Sequence, residues 1–498
     1  MSGKPIQNST GIGGLDDILS GGLTPNRLYL VEGVPGSGKT TLALQFLLEG
    51  AAREESTLYV TLSESAEELL AVAASHGWSL DGINIRELTP SVEALRPDDQ
   101  YTMFHPSEVE LGETTRAILE EVERLQPRRI VFDSLSELRL LAGNPLRYRR
   151  QILALKQFFS GRNCTVLMLD DMTSTDHDLQ VQSIAHGVIA LEQLNPDYGT
   201  ERRRLRVVKY RGVHFRGGYH DYAIRRGGLQ VFPRLVAYES RNAGITERFG
   251  SGIPELDHLL GGGIERGTST LITGAAGTGK SSMTAQFVHS TAQRGQKALM
   301  IIFDESKNTL LSRTEALGIG LQEFIDSGAV KITQVDPAEL SPGEMVYDIR
   351  QAVENEGISL VVIDSLNGYL NAMPGEHYLV VHLHELLTYL GQMGVATILV
   401  SAHHGLIGSN MSAPIDVSYL ADAVILMRYF EARGEVRQAI SVVKKRGGAH
   451  ERSIREFKMA DGRIQVGEPL KDFRGILTGV PVFEGGETGL MGSRSESK

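Results

Sequence analysis

The chain holds a single cysteine, Cys164, so no disulfide can form within it. Long apolar runs are missing as well, and none reaches the roughly 20 residues that a membrane-crossing helix needs. The opening stretch, MSGKPIQNST, has neither the basic start nor the apolar centre of a secretory signal. These three absences lead us to expect a cytoplasmic protein with no membrane attachment. An excess of positive charge is lacking too. A formal charge of −11 argues against a broad nucleic-acid face, because neutralising phosphates takes clustered Lys and Arg. The densest basic run, Glu201-Arg202-Arg203-Arg204, reads as a solvated turn leading into a strand.

What is present is a balanced globular composition, 41% hydrophobic and 22% charged, in 498 residues. That is too long for one ordinary domain. Self-similarity shows how the length is divided. Gly33-Val-Pro-Gly-Ser-Gly-Lys39-Thr40 recurs as Gly274-Ala-Ala-Gly-Thr-Gly-Lys280-Ser281, an offset of 280 − 39 = 241. Leu15-Asp16 recurs as Leu256-Asp257, and Gly77 as Gly318, at the same offset. Ile130-Val-Phe-Asp133-Ser returns as Val361-Val-Ile-Asp364-Ser, and Lys209-Tyr-Arg211-Gly as Lys444-Lys-Arg446-Gly. The same order at near-constant spacing means a duplicated domain.

Within each copy, short apolar β-rich runs alternate with helical stretches. Residues 28–32, 58–62, 129–133 and 166–169 read as strands, and a helix is expected after each glycine-rich loop, from Lys39 and from Lys280. Such alternation predicts an α/β fold: two tandem domains, each a mostly parallel, doubly wound sheet flanked by helices. Residues 205–209 and 439–443 read as later strands, each running into a Lys-x-Arg-Gly turn. The expected domains are 1–238 and 246–483, joined by a polar linker at 238–246. The Gly-, Ser-, Glu- and Lys-rich tail, 484–498, reads as disordered.

The duplicated loop has the chemistry of a phosphate cradle. Its glycines let successive N–H groups turn inward, its lysine meets the β and γ oxygens, and the following hydroxyl is a Mg²⁺ ligand. Gly33, Gly36, Ser37, Gly38, Lys39 and Thr40 would fill these roles in the first copy. Gly274, Gly277, Thr278, Gly279, Lys280 and Ser281 would fill them in the second. A magnesium nucleotide also needs a carboxylate at a strand end, where Asp133 and Asp364 stand. Together with Thr40 and Ser281 they form the expected metal set, with ATP and Mg²⁺ as cofactors. Hydrolysis further requires a group that orients or deprotonates water. Glu64 and Glu305 lie at matching places just past a strand and are the candidate bases.

With those residues in place, the chain resembles the KaiC family of RecA-like P-loop ATPases. The resemblance spans both halves and includes the late stretches Tyr429-Phe-Glu431-Ala-Arg433-Gly434-Glu435 and Lys444-Lys-Arg446-Gly-Gly-Ala-His450. It implies two RecA-like domains in a homo-hexameric double ring, with ATP held between subunits and regulatory proteins as partners. It also implies that Lys209, Arg211, Lys444 and Arg446 reach the γ-phosphate of the adjacent subunit. The family places two adjacent glutamates at each catalytic position. Here Ser63-Glu64 and Asp304-Glu305 replace them, so Asp304 joins the catalytic set and the first copy leans on Glu64. Family autophosphorylation on neighbouring Ser and Thr would fall on Ser418 and Tyr419, which leaves Ser418 as the serine/threonine kinase acceptor. Phe104-His-Pro-Ser-Glu108-Val-Glu110 departs from the family's stretch there.

The resulting expectation is a regulatory Mg-dependent ATPase with autokinase capacity. A nucleic-acid motor or recombinase on the same core is one alternative, and an ATP-locked scaffold with little turnover is another. The pair His403-His404 after the run 398–401 reads as a γ-phosphate-sensing position or plain loop rather than a metal site, since no ligand cluster accompanies it.

Overall fold

A computed structural model of the protein describes residues 7–88, 106–172, 179–195, 199–237, 247–371, 379–403, 417–477 and 482–483. The chain divides into two units, Met1–Arg234 with Ser341–Glu344, and Leu235–Leu340 with Met345–Lys498. The expected linker and tail both lie outside the described residues. Among the described residues, no helix is long and apolar enough to cross a membrane.

The first unit is built on nine strands: β1 (Leu28–Gly33), β2 (Thr57–Thr61), β3 (Ile83–Glu87), β4 (Arg129–Asp133), β5 (Thr165–Asp170), β6 (Gly187–Leu194), β7 (Arg202–Tyr210), β8 (His220–Arg225) and β9 (Gly228–Phe232). They lie in the order β3-β2-β4-β5-β1-β6-β7-β8-β9. The first six in that row are parallel and the last three antiparallel. The central strands read as unbroken apolar runs because helices cover both sheet faces. Their side chains alternate accordingly. Tyr29, Val31, Val131, Leu167 and Leu169 enter one core cluster, and Leu30, Ile130, Phe132, Val166 and Met168 enter the other.

The second unit opens with a short ribbon, β10 (Arg248–Phe249) against β11 (Ile264–Glu265). Its sheet comprises β12 (Ser269–Gly274), β13 (Lys297–Ile302), β14 (Val330–Gln334), β15 (Ile358–Asp364), β16 (Ala396–Ala402), β17 (Ala423–Ala432), β18 (Glu435–Lys445), β19 (Arg455–Ala460) and β20 (Arg463–Pro469). The order β14-β13-β15-β16-β12-β17-β18-β19-β20 repeats the first sheet position by position. Two mostly parallel sheets of one design are the tandem RecA-like arrangement.

Two local features go beyond the sequence reading. Strand β7 starts at Arg202, so the basic run lies within the strand rather than in a turn before it. Cross-strand register accounts for this: Arg204 faces Glu192 on β6 and pairs with it at 2.9 Å. At the start of β4, Arg129 is wholly buried. It pairs with Glu55 at 2.5 Å and donates to the carbonyls of Ser9 and Phe46, tying the chain start, a helix and the sheet together. The corresponding position in β15 is Leu360, so this clasp belongs to the first unit alone.

Candidate functional site

Each sheet brings the candidate residues to the carboxyl ends of its parallel strands, where open α/β sheets collect ligands. The glycine-rich loop leaves β1 at Gly33 and ends at Gly38, which caps the helix Lys39–Ala52 with φ +92°. The second loop leaves β12 at Gly274, and Gly279, at φ +98°, caps the helix Lys280–Gln293. Any side chain at those caps would be strained. Space is equally tight at the loop starts: a Cβ on Gly33 would lie 2.6 Å from Ser37 Oγ, and one on Gly274 would lie 2.1 Å from Met427 O. From strands further along each sheet, Tyr222 of β8 donates to Ser37 O at 2.6 Å and Tyr429 of β17 to Ala276 O at 3.3 Å. Thr278 donates back to Ala275 O at 2.9 Å. The cradle is thus fixed by close packing and ends on the positive end of a helix, as an anion site requires.

In the first unit, Lys39 is buried and donates to Gly33 O at 2.9 Å and Val34 O at 3.1 Å. It also pairs with Asp171 at 2.8 Å. Thr40 Oγ1 donates to Asp133 Oδ2 at 3.4 Å, and the Tyr59 hydroxyl donates to the same oxygen at 2.5 Å. Burial raises Asp133 above the usual carboxylate range, opposed by the Tyr59 hydrogen bond. Glu64 follows β2, and its Oε2 is shielded with no hydrogen-bond partner. Burial, then the charges of Asp133, Glu68 and Asp171, push its carboxyl up to about 7, against the pull of Lys39.

The second unit keeps the frame and changes the neighbours. Lys280 donates to Gly274 O at 3.0 Å and Ala275 O at 2.6 Å, and burial brings it down to about 8. Asp364 is raised to about 6 by burial, opposed by the hydrogen bond from Ser281. Its Oδ2 is buried without a partner. Asp304 accepts from Ser365 Oγ at 2.5 Å, while Glu305 pairs with Arg313 at 2.5 Å. Gly277, Lys280, Asp304, Glu305, Arg313 and Asp364 border a cavity of ≈ 380 Å³, within the usual range for small-molecule sites. In both units the peptide bond after the strand-end aspartate is cis.

This donor set fits a magnesium nucleotide. A helix N-terminus and a lysine are ready for phosphate oxygens, a hydroxyl stands beside a carboxylate as hard oxygen ligands, and Asp364 has an acceptor oxygen to spare.

The Lys-x-Arg pairs lie elsewhere in their units. Lys209 donates to Gln182 O and Arg211 to Ser183 O, at 2.5 and 2.7 Å. Lys444 donates to Ser418 O and Ala421 O, both at 2.8 Å, and Arg446 to Tyr419 O at 2.7 Å. Each pair clasps the segment ahead of its own sixth strand. Ser418 is half-buried beside Lys444. His403 accompanies the second loop: its ring Nε2 hydrogen-bonds the Thr273 hydroxyl at 2.7 Å, and its backbone N–H donates to Gly274 O. His404, Phe104 and His105 lie outside the described residues.

Tyr59, Asp171, Ser365 and Arg313 are site residues that the sequence reading missed. Tyr59 was open to inference, since parallel pairing of β2 with β4 sets it opposite Val131, two residues short of Asp133. Asp171 and Arg313 had no local signal.

A family model for the KaiC ATPase matches the chain twice, at residues 8–236 and 249–471. The circadian clock protein KaiC3 of Synechocystis sp. is 27% identical over 482 residues, covering 95% of this chain and 94% of its own. The circadian clock oscillator protein KaiC of Parathermosynechococcus lividus is 26% identical over 483 residues, covering 95% and 88%. That of Prochlorococcus marinus is 27% identical over 485 residues, covering 95% of each.

Proposed function

This chain belongs to the KaiC ATPase family, and from that premise we propose that it binds Mg-ATP at both phosphate loops and hydrolyses it as a ring-forming regulatory ATPase. One observation carries the reading. Twice in one chain, a buried lysine, a hydroxyl, a strand-end carboxylate and a further glutamate converge on a glycine cradle. In this reading Lys39 and Lys280 hold the β- and γ-phosphates, and Mg²⁺ is held by Thr40 with Asp133 and by Ser281 with Asp364. Bound there, the ion offsets phosphate charge as the γ-phosphoryl departs. Glu64 and Glu305 take the proton of the attacking water, with Asp304 beside the second base. Domains of 1–238 and 246–483 are part of the same proposal.

Lys209, Arg211, Lys444 and Arg446 would serve the neighbouring subunit's nucleotide. Their placement supports this, because each pair faces a segment other than its own phosphate loop. Phosphoryl transfer to Ser418 follows the family pattern and is proposed with it.

Native mass measurement with Mg-ATP is the test. We expect a hexamer carrying two nucleotides per chain, with slow phosphate release and phosphopeptide label at Ser418. A folded chain that holds no nucleotide at either loop defeats the reading. Label elsewhere removes Ser418 alone, and severalfold stimulation by single-stranded DNA would favour a nucleic-acid motor.

A further inference from the structure

We infer that Arg313 is a positioning residue that restrains Glu305 and slows ATP hydrolysis at the second phosphate loop. The inference rests on the function proposed above. Arg313 comes from the helix Lys307–Ala316, which follows Glu305. One end of its guanidinium, Nη2, donates to Glu305 Oε1 at 2.5 Å. The other, Nη1, donates to Ser282 Oγ at 2.6 Å. Ser282 is buried in the first turn of the helix that the phosphate loop caps. The guanidinium is therefore pinned at two points and cannot swing away with the carboxylate. A lysine, with one compact charge, has no fork to span them.

The first unit lacks this device. The position matching Arg313 is Val72 (313 − 241 = 72), and Glu64 has a shielded oxygen with no hydrogen-bond partner. The chemical consequence follows from the reaction itself. A water oxygen bonds to the γ-phosphorus, the bond to the β–γ bridging oxygen breaks to release ADP, and the base accepts the water's proton. A carboxylate oxygen that already accepts a charge-assisted hydrogen bond from a fixed guanidinium must give up that bond before it can turn to the attacking water. Its reach toward water is limited as well.

The test uses the full chain with Lys39→Ala, so that turnover comes from the second loop. Adding Arg313→Val, which installs the first unit's residue, is expected to raise kcat roughly tenfold, a modest part of the 10²–10⁴ that general bases contribute. The gain is read in kcat at saturating Mg-ATP, because Arg313 also borders the cavity and KM can move with it. The gain should vanish in a Glu305→Gln background, which a merely structural effect would not do. Ser282→Ala removes the anchor while keeping the ion pair, and should raise kcat less but in the same direction. An unchanged or lower kcat, or a gain that survives Glu305→Gln, overturns the inference alone. A Lys39→Ala chain that holds no Mg-ATP overturns the reading of the second loop together with it.

Discussion

Glu64 shows how much one half-buried carboxyl can govern. With Lys280→Ala silencing the second loop, phosphate release should climb as pH rises through about 7, because the protonated carboxyl cannot accept water's proton. The same shift acts on the fold. Its native value, about 7, stands above the ordinary 4.5, so the native state holds this proton more tightly than the unfolded chain. Stability from Glu64 is therefore fully present below about 4.5 and lost as pH rises through about 7. The group is half exposed, so solvent screening leaves on the order of 1 kcal/mol. Glu64→Gln should melt higher than the native protein at pH 8, match it near pH 4.5, and lose first-loop turnover at pH 8. Equal melting at both pH values would show that the carboxyl is not strained by burial. Lys39, Thr40, Asp133 and Glu64 were legible in the sequence because each stands at a fixed place relative to a strand or loop. Asp171 was not, because its link to Lys39 is made by β5 lying beside β1, across more than a hundred residues.

At the level of elements, the central strands were legible for a physical reason: burial on both faces leaves no polar alternation to blur them. The edge strand β3, Ile-Asn-Ile-Arg-Glu, is half exposed and carries no such run. The hairpins β8–β9 and β19–β20 escaped notice because their short strands mix apolar with polar residues. Arg129 illustrates a different limit, since a charged residue opening an apolar strand looks like a surface boundary and turns out to be as fully enclosed as its apolar neighbours. Removing one partner of a buried, hydrogen-bonded charge costs about 3–5 kcal/mol. Arg129→Ala should lower the first unit's stability by an amount of that order, read as a shift of the urea midpoint in Trp78 fluorescence. A loss below about 1 kcal/mol, typical of exposed pairs, would mean the clasp is dispensable.

For the whole molecule, duplication was plain from the repeated loop, and so was the tandem RecA-like fold. What the repeat concealed is that the copies have diverged around a common frame. The chain's single tryptophan, Trp78, packs against the first unit's core and reports on that unit alone. Saturating Mg-ATP at about 100 times its Kd should stabilise that unit by about 2.7 kcal/mol. The Trp78 melting curve should lose this gain in Lys39→Ala and keep it in Lys280→Ala; loss in both would show that the loops do not bind independently. Strand register sets Asp170 beside Glu32 and Ala402 beside Gly274, so Asp171 and Ala402 are counterparts, as are Val72 and Arg313. Each half is thus a natural chimera template for the other. Trading these four side chains would exchange the electrical temperament of the halves while every backbone rung of both sheets stayed where it is.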